Sequence, residues 1–416
     1  MDPRVYRTAF LPALAAIVAL MFSLEPAPEP LEGPVSTPTF NERETARLAR
    51  SIADLAPSRT PGSVGDAAVA DRVLEDFSAI GGGQVSEQTF ESDFEGTDVE
   101  LKNVLLTLPG RREQSILVVA SRDSPEGEGA PTSAAATATL LQLAGELGSA
   151  RHERTIVMAS LSGASTGSAG LAKLVEALPD PDGIEAAVVI SQPGVEIREP
   201  PFVIPGRDGP ESVSPTLLAT AEAIASVQFE QDAAPAGAWT QFARLVIPVG
   251  TGEGAALTGE GLEAVTISGS GERLPPADEQ GPTAVSSETL FVTGSSLLDL
   301  ILTLDERQRP IPDGPSAYVQ IGDSLLPGWP LELLALALLL PALLAAGDIW
   351  LRDRRRNPRS ARRSIPWAFE RTLPALAGLL AAYAFGLLGL IPDPPYPYDP
   401  GRFDPGAEGL AAIVLI

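Results

Sequence analysis

The chain predicts an α/β protein, a three-layer sandwich built on a mixed, largely parallel sheet, with added transmembrane α-helices. Three observations carry that expectation. Short aliphatic runs at 116–120, 155–161 and 186–190 are too brief for independent helices and read as strands buried on both faces. Amphipathic stretches with helical spacing lie between them, and Gly- and Pro-rich segments separate the two kinds of element.

Residues 115–168 are the centre of this pattern. Ile116 to Ala120 is a strand, and Ser133 to Leu147 carries Ala136, Leu140, Leu143, Ala144 and Leu147 on one helical face. Thr155 to Leu161 is a second strand, followed by a turn at Gly163 and Gly167. Strand, crossover helix and parallel strand make a βαβ unit, whose loops at the carboxyl ends of the strands are where such folds place their sites.

Outside that block, Asp66 to Ile80 predicts a helix with Val69, Val73, Phe77 and Ile80 inward, ended by Gly81-Gly82-Gly83. Val99 to Leu108, Ala186 to Ile190, Phe242 to Val249 and Ala264 to Ile267 read as strands. Ser214 to Val227 and Ser287 to Leu304 read as helices, and 192–211 and 269–283 as loops. The α/β domain is expected over 42–306.

The flanks read as membrane-associated. Thr8 to Leu24 is an uncharged run behind Arg4 and Arg7, so 1–24 predicts a signal anchor, and 25–41 a stiff Pro- and acid-rich spacer. Residues 307–327 read as a linker and 328–351 as a span, with Trp329 and Trp350 as interface aromatics. Residues 352–371 hold eight Arg against Asp353 and Glu370, and 372–391 is a second uncharged run. An outer loop over 392–408 and the start of a further, truncated helix at 409–416 complete the pattern. The positive-inside rule places the Arg-rich loop in the cytoplasm, so the expectation is a multi-pass cell-membrane protein with its main domain extracytoplasmic. Contact of the arginines with anionic lipid is the partner this implies.

Composition excludes much else. A net charge of −25 argues against nucleic-acid binding, which needs a clustered basic face. No Cys removes thiol catalysis, Fe–S clusters and disulfides. One His makes a catalytic zinc centre hard to assemble.

The central block resembles the two-zinc aminopeptidase superfamily, which also holds glutamate carboxypeptidase and the transferrin receptor ectodomain. The family's Ala-His-x-Asp stands here as Ala120-Ser121-Arg122-Asp123, and its Gly-Ala-x-Asp-Asn as Gly129-Ala130-Pro131-Thr132-Ser133. Its Gly-Glu-Glu turn stands as Gly163-Ala164-Ser165, followed by Thr166-Gly167-Ser168. Thr60-Pro61-Gly62-Ser63 matches the Pro-Gly-Ser entry, and Lys102-Asn103-Val104 the Asn-Val strand. The family's Leu-Asp becomes Ile190-Ser191, and its late Asp-His region falls near Glu253, with no His after it.

The resemblance therefore implies a degenerate member. A His ligand position is Ser121, the bridging Asp position Thr132, the general-base Glu position Ala164, and further ligand positions are Ser165 and Ser191. Asp123 and Glu253 are the acids that remain. No catalytic residue, metal or cofactor is expected, and the former cleft is expected to bind a peptide or a partner protein.

The sequence offers two other kinds of chemistry. Gly163-Ala164-Ser165-Thr166-Gly167 satisfies a nucleophile-elbow pattern, but His152 lies at the far end of the same strand, in a charged turn where a solvated imidazole is expected. Asp123, Glu126, Glu128 and Glu253 offer oxygen ligands suited to calcium or magnesium. The simpler reading is a solvated acidic loop, with Asp123 bonding loop backbone and Arg122 paired to one of these acids. The alternatives to a binding domain are an active metallopeptidase with a displaced or partner-completed site, and a structural assembly subunit without ligand.

Overall fold

The computed structural model describes residues 3–339 apart from 35–37, 95, 125–127, 165–167, 179, 198–199, 207–211, 232–236, 239–240, 242–244, 246–251, 272–274, 276–278, 308, 313 and 316. Pro26–Leu325 forms one compact unit. Helix Pro3–Phe22 (α1) and the helical stretch Gly328–Leu339 fall mainly in a second.

The larger unit is organised by a seven-stranded sheet. Its strands are Gln84–Phe94 (β2), Thr97–Leu108 (β3), Ser115–Ser121 (β4), Thr155–Leu161 (β5), Ile184–Ser191 (β6), Val203–Pro205 (β7) and Ala264–Ser268 (β8), in the spatial order β2-β3-β5-β4-β6-β8-β7. The centre β5-β4-β6-β8 is parallel, with Val118 opposite both Met158 and Val188. The β2–β3, β3–β5 and β7–β8 pairs are antiparallel. The mixed, largely parallel sheet expected from the sequence is the one observed.

Side-chain alternation along each central strand supplies two cores. Ile116, Val118, Ala120, Met158 and Val188 face one side, where they pack with residues of helices Glu42–Leu55 (α2), Val64–Ser78 (α3), Ala135–Gly148 (α4), Pro215–Gln228 (α6) and Ser287–Glu306 (α8). Leu117, Val119, Ala159 and Val189 face the other, against Leu171 and Leu174 of Ala169–Ala177 (α5) and Leu257 of Gly252–Gly259 (α7). That is the three-layer sandwich. Helix starts follow their capping residues: Asn41, Ser63 and Ser286 each accept a backbone N–H of the first turn.

Several elements differ from expectation. Strand β2 escapes the pattern because it is half-buried at best, alternating exposed and intermediate residues. The short β7 lies in a segment read as loop, and Leu245, the described residue of the strand expected over 242–249, is helical. In the stretch read as a linker, Tyr318–Ile321 (β9) and Ser324–Pro327 (β10) are strands of a three-stranded sheet with Glu25–Pro26 (β1), in the order β1-β10-β9. The acid- and Pro-rich segment before α2 lies on the domain, not away from it. Ala27 and Leu31 pack against the main core, Leu31 N–H donates to Thr220 Oγ1 at 3.0 Å, and Phe40 is buried.

The expectation of a multi-pass membrane protein is corrected. Among the described residues, only α8 is long and apolar enough to cross a membrane, and two thirds of it is buried as the core helix of the α/β domain. Pro12–Phe22, the part of α1 whose side chains are described, and Gly328–Leu339 are apolar helical stretches of 11 and 12 described residues. The runs expected to span at 372–391 and 409–416, the Arg-rich stretch 352–371 and the loop 392–408 lie outside the described residues.

Candidate functional site

The carboxyl ends of β4, β5, β6 and β8 lie along one edge of the sheet, and two of the residues singled out from the sequence stand there. Ser121 is the last residue of β4, and Ser191 the last of β6. The two strands are in step, since Val119 pairs with Val189 two residues earlier. Ser191 in turn is level with Ser268 at the end of β8.

Ser121, Asp123 and Glu253 are brought together. The Ser121 hydroxyl donates to the carboxylate of Glu253, in the first turn of α7. Burial pushes the Glu253 carboxyl up to about 7; the Ser121 hydrogen bond opposes this and the neighbouring Asp123 charge adds to it. Asp123 is itself buried and accepts the backbone N–H of Ala164 at 3.1 Å, which ties the loop after β4 to the turn after β5. Its backbone-bonding role is the one expected of it.

Beneath these groups lies a network the sequence reading missed. Arg122, expected to pair with Asp123, Glu126, Glu128 or Glu253, pairs with Asp66 of α3, Nε to Oδ1 at 2.8 Å. Its guanidinium also donates to the carbonyls of Ser160 and Lys102. Asp66 accepts the hydroxyl of Ser162 at 2.5 Å. Arg59, wholly buried, donates to the carbonyls of Ala56, Arg122 and Glu128 and to Ser133 Oγ at 2.7–3.0 Å. Burial lowers its pKa to about 10 against the favourable charges of Asp123, Asp66 and Glu128. No periodic cue marks Arg59 or Asp66. Arg59 precedes Thr60-Pro61-Gly62-Ser63, and Asp66 sits in the first turn of a helix, where an acid needs no special reason.

Two backbone features hold the frame. Gly129 opens the π-helical turn Ala130–Ala134 at φ +54°, and a Cβ there would stand 2.5 Å from Ser124 Oγ and 2.9 Å from Arg59 Nη2. Gly170 lets α5 press on the turn after β5, since its Cβ would stand 2.1 Å from the Ser162 carbonyl oxygen. Asn103 clamps the same place, donating to Gly170 O at 2.7 Å and accepting Ser162 N–H at 3.3 Å.

Thr132 is buried in the π-helical turn, where its N–H bonds Gly129 O, and is not joined to Ser121 or Glu253 by any hydrogen bond among the described residues. Ser165, with Thr166 and Gly167, lies outside the described residues, as does Glu126. His152 is not solvated: it is buried at the opposite end of β5, its ring nitrogens 2.9 Å from Asp305 Oδ2 and 2.9 Å from Leu147 O.

The side chains at this edge, among the described residues, do not fit a two-zinc centre. Among the described residues, no group of three or more His, Asp or Glu side chains is placed to hold a metal ion. A hydroxyl stands at the end of β4 and is already committed to Glu253, Asp123 is turned to backbone, and the single imidazole is at the far end of the sheet.

No family model and no curated protein matches this chain. Solved structures do. A glutaminyl cyclase from an Acidobacteriales bacterium superposes with a TM-score of 0.52 at 18% identity, covering 66% of this chain and 99% of that one. LapB from Legionella pneumophila gives 0.50 at 14%, covering 64% and 73%. A Zn-dependent exopeptidase from Parabacteroides distasonis gives 0.47 at 14%, covering 65% and 100%. The fold of the α/β domain is the one it shares with this glutaminyl cyclase and LapB. At these identities the likeness establishes the architecture of the α/β domain and leaves its chemistry to its own residues.

Proposed function

We propose that this zinc-exopeptidase-like domain is a degenerate member of its fold that has left two-zinc chemistry behind and holds an extended peptide, or a segment of a partner protein, at the carboxyl edge of its sheet. The observation that supports this most is the Ser121–Glu253 hydrogen bond. At the strand end where the resemblance puts a metal ligand, a hydroxyl and a carboxylate satisfy each other. The acids below are neutralised by Arg59 and Arg122 instead of by a cation. A cleft at the carboxyl ends of parallel strands is the usual ligand position in α/β folds, and remains one without a metal.

The test is selection of random displayed peptides on the full chain, followed by calorimetric titration of the selected peptides against wild type and Ser121→Trp. The reading expects one family of peptides that saturates wild type and loses at least tenfold in affinity on the variant. Peptides that bind both proteins equally, or no selectable binder, would count against it and favour a structural subunit without ligand.

A further inference from the structure

Ser121 and Glu253 have the relationship that nucleophilic catalysis requires. A part-buried hydroxyl at the end of β4 donates directly to a carboxylate in the first turn of a separate helix. Asp123 lies close enough for its charge to act on that carboxylate, and is held by the Ala164 N–H. We propose that Ser121 and Glu253 form a metal-independent acyl-transfer dyad, with Ser121 as nucleophile, Glu253 as general base and an ester as the substrate class. The inference rests on the reading of this cleft as metal-free.

The step balances within the residues present. Ser121 Oγ forms a bond to the ester carbonyl carbon as its proton passes to the Glu253 carboxylate. The tetrahedral adduct collapses, the bond to the leaving alkoxide breaks, and Glu253 returns the proton to that oxygen. Water then adds to the acyl-serine with Glu253 again taking the proton, and collapse releases the acid and restores Ser121. A carboxylate is normally too weak a base for this exchange. Burial and Asp123 raise Glu253 to about 7, near the working range of a general base. Esters are favoured over amides because an alkoxide departs with less help from the acid than an amine requires.

The other candidate nucleophile in the sequence, Ser165, lies outside the described residues, and the single His of the chain, His152, is engaged at the amino-terminal end of β5. The carboxylate dyad needs no imidazole.

The experiment is covalent labelling of the full chain with a fluorophosphonate probe at pH 8, with and without EDTA, the modified residue mapped by peptide mass spectrometry. The proposal expects labelling at Ser121 that is unchanged by EDTA and falls at least tenfold in Glu253→Gln, with a partial return in Glu253→Asp. Labelling of any other serine, or none in the folded wild-type protein, overturns the dyad and leaves the peptide-binding reading standing. Labelling abolished by EDTA overturns both, since it would show a metal in the cleft.

Discussion

Arg122 and Asp66 meet at 2.8 Å with both side chains withdrawn from solvent, one from the end of β4 and the other from the first turn of α3. This pair holds the floor of the cleft, because Asp66 also anchors Ser162 and Arg122 also caps the carbonyls of Ser160 and Lys102. Removing one partner leaves the other charge buried and uncompensated. Arg122→Met is expected to destabilise by about 3–5 kcal/mol in urea unfolding. The double variant Arg122→Met/Asp66→Leu should lose less than the two single losses together, and strict additivity would show that the pair is not coupled.

A second expectation concerns His152. Burial alone would push its pKa down, but the hydrogen bonds to Asp305 and Leu147 more than reverse this and hold it above 6.5. Both partners are acceptors, so the ring carries both protons in this geometry. A group whose folded pKa is raised stabilises fully below its unfolded pKa and loses that stabilisation as pH rises through the folded value. The difference in melting temperature between wild type and His152→Asn should therefore be larger at pH 6 than at pH 9. A pH-independent difference contradicts a protonated His152.

Glu253 gives a similar downward trend on a different scale. Its carboxyl is raised from 4.5 to about 7 in the folded state, so ionising it costs stability progressively between those values and by a constant amount above them. Glu253→Gln keeps an acceptor for Ser121 without the charge. It is expected to be more stable than wild type by about 1–3 kcal/mol at pH 8, and by little at pH 4. Equal stability at both pH values would mean that Glu253 ionises freely.

Close approach of α5 to the turn after β5 depends on Gly170. Gly170→Ala puts a methyl group into the Ser162 carbonyl and is expected to cost about 1–3 kcal/mol, read as a lowered unfolding midpoint.

How much of this was legible in the sequence follows from which residues signal by pattern. The aliphatic runs of β4, β5 and β6 and the periodic faces of α3 and α4 can be read because burial on both faces or on one stripe leaves a period. Ser121, Asp123 and Glu253 were reachable only through the landmarks around them, and the structure joins these three. Strand β2 and the β9–β10 pair were not visible, because half-buried and short strands carry little apolar signal. Arg59, Asp66 and the burial of His152 were invisible for another reason. Their roles are set by long-range partners, 63 residues away for Arg59 and 153 for His152, that no local pattern encodes. The multi-pass expectation drawn from the apolar flanks is not met among the described residues. The one helix there long and apolar enough to span is α8, which the sequence placed inside the α/β domain and which is mostly buried there.

Metal content tests the central claim most directly. The full chain, equilibrated with a small excess of zinc and then dialysed, should retain far less than one zinc per chain by plasma emission, because Ser121, Asp123 and Glu253 are committed to internal partners. Retention of about two zincs per chain, the count of a two-metal site, would contradict the account and return the domain to the metallopeptidases.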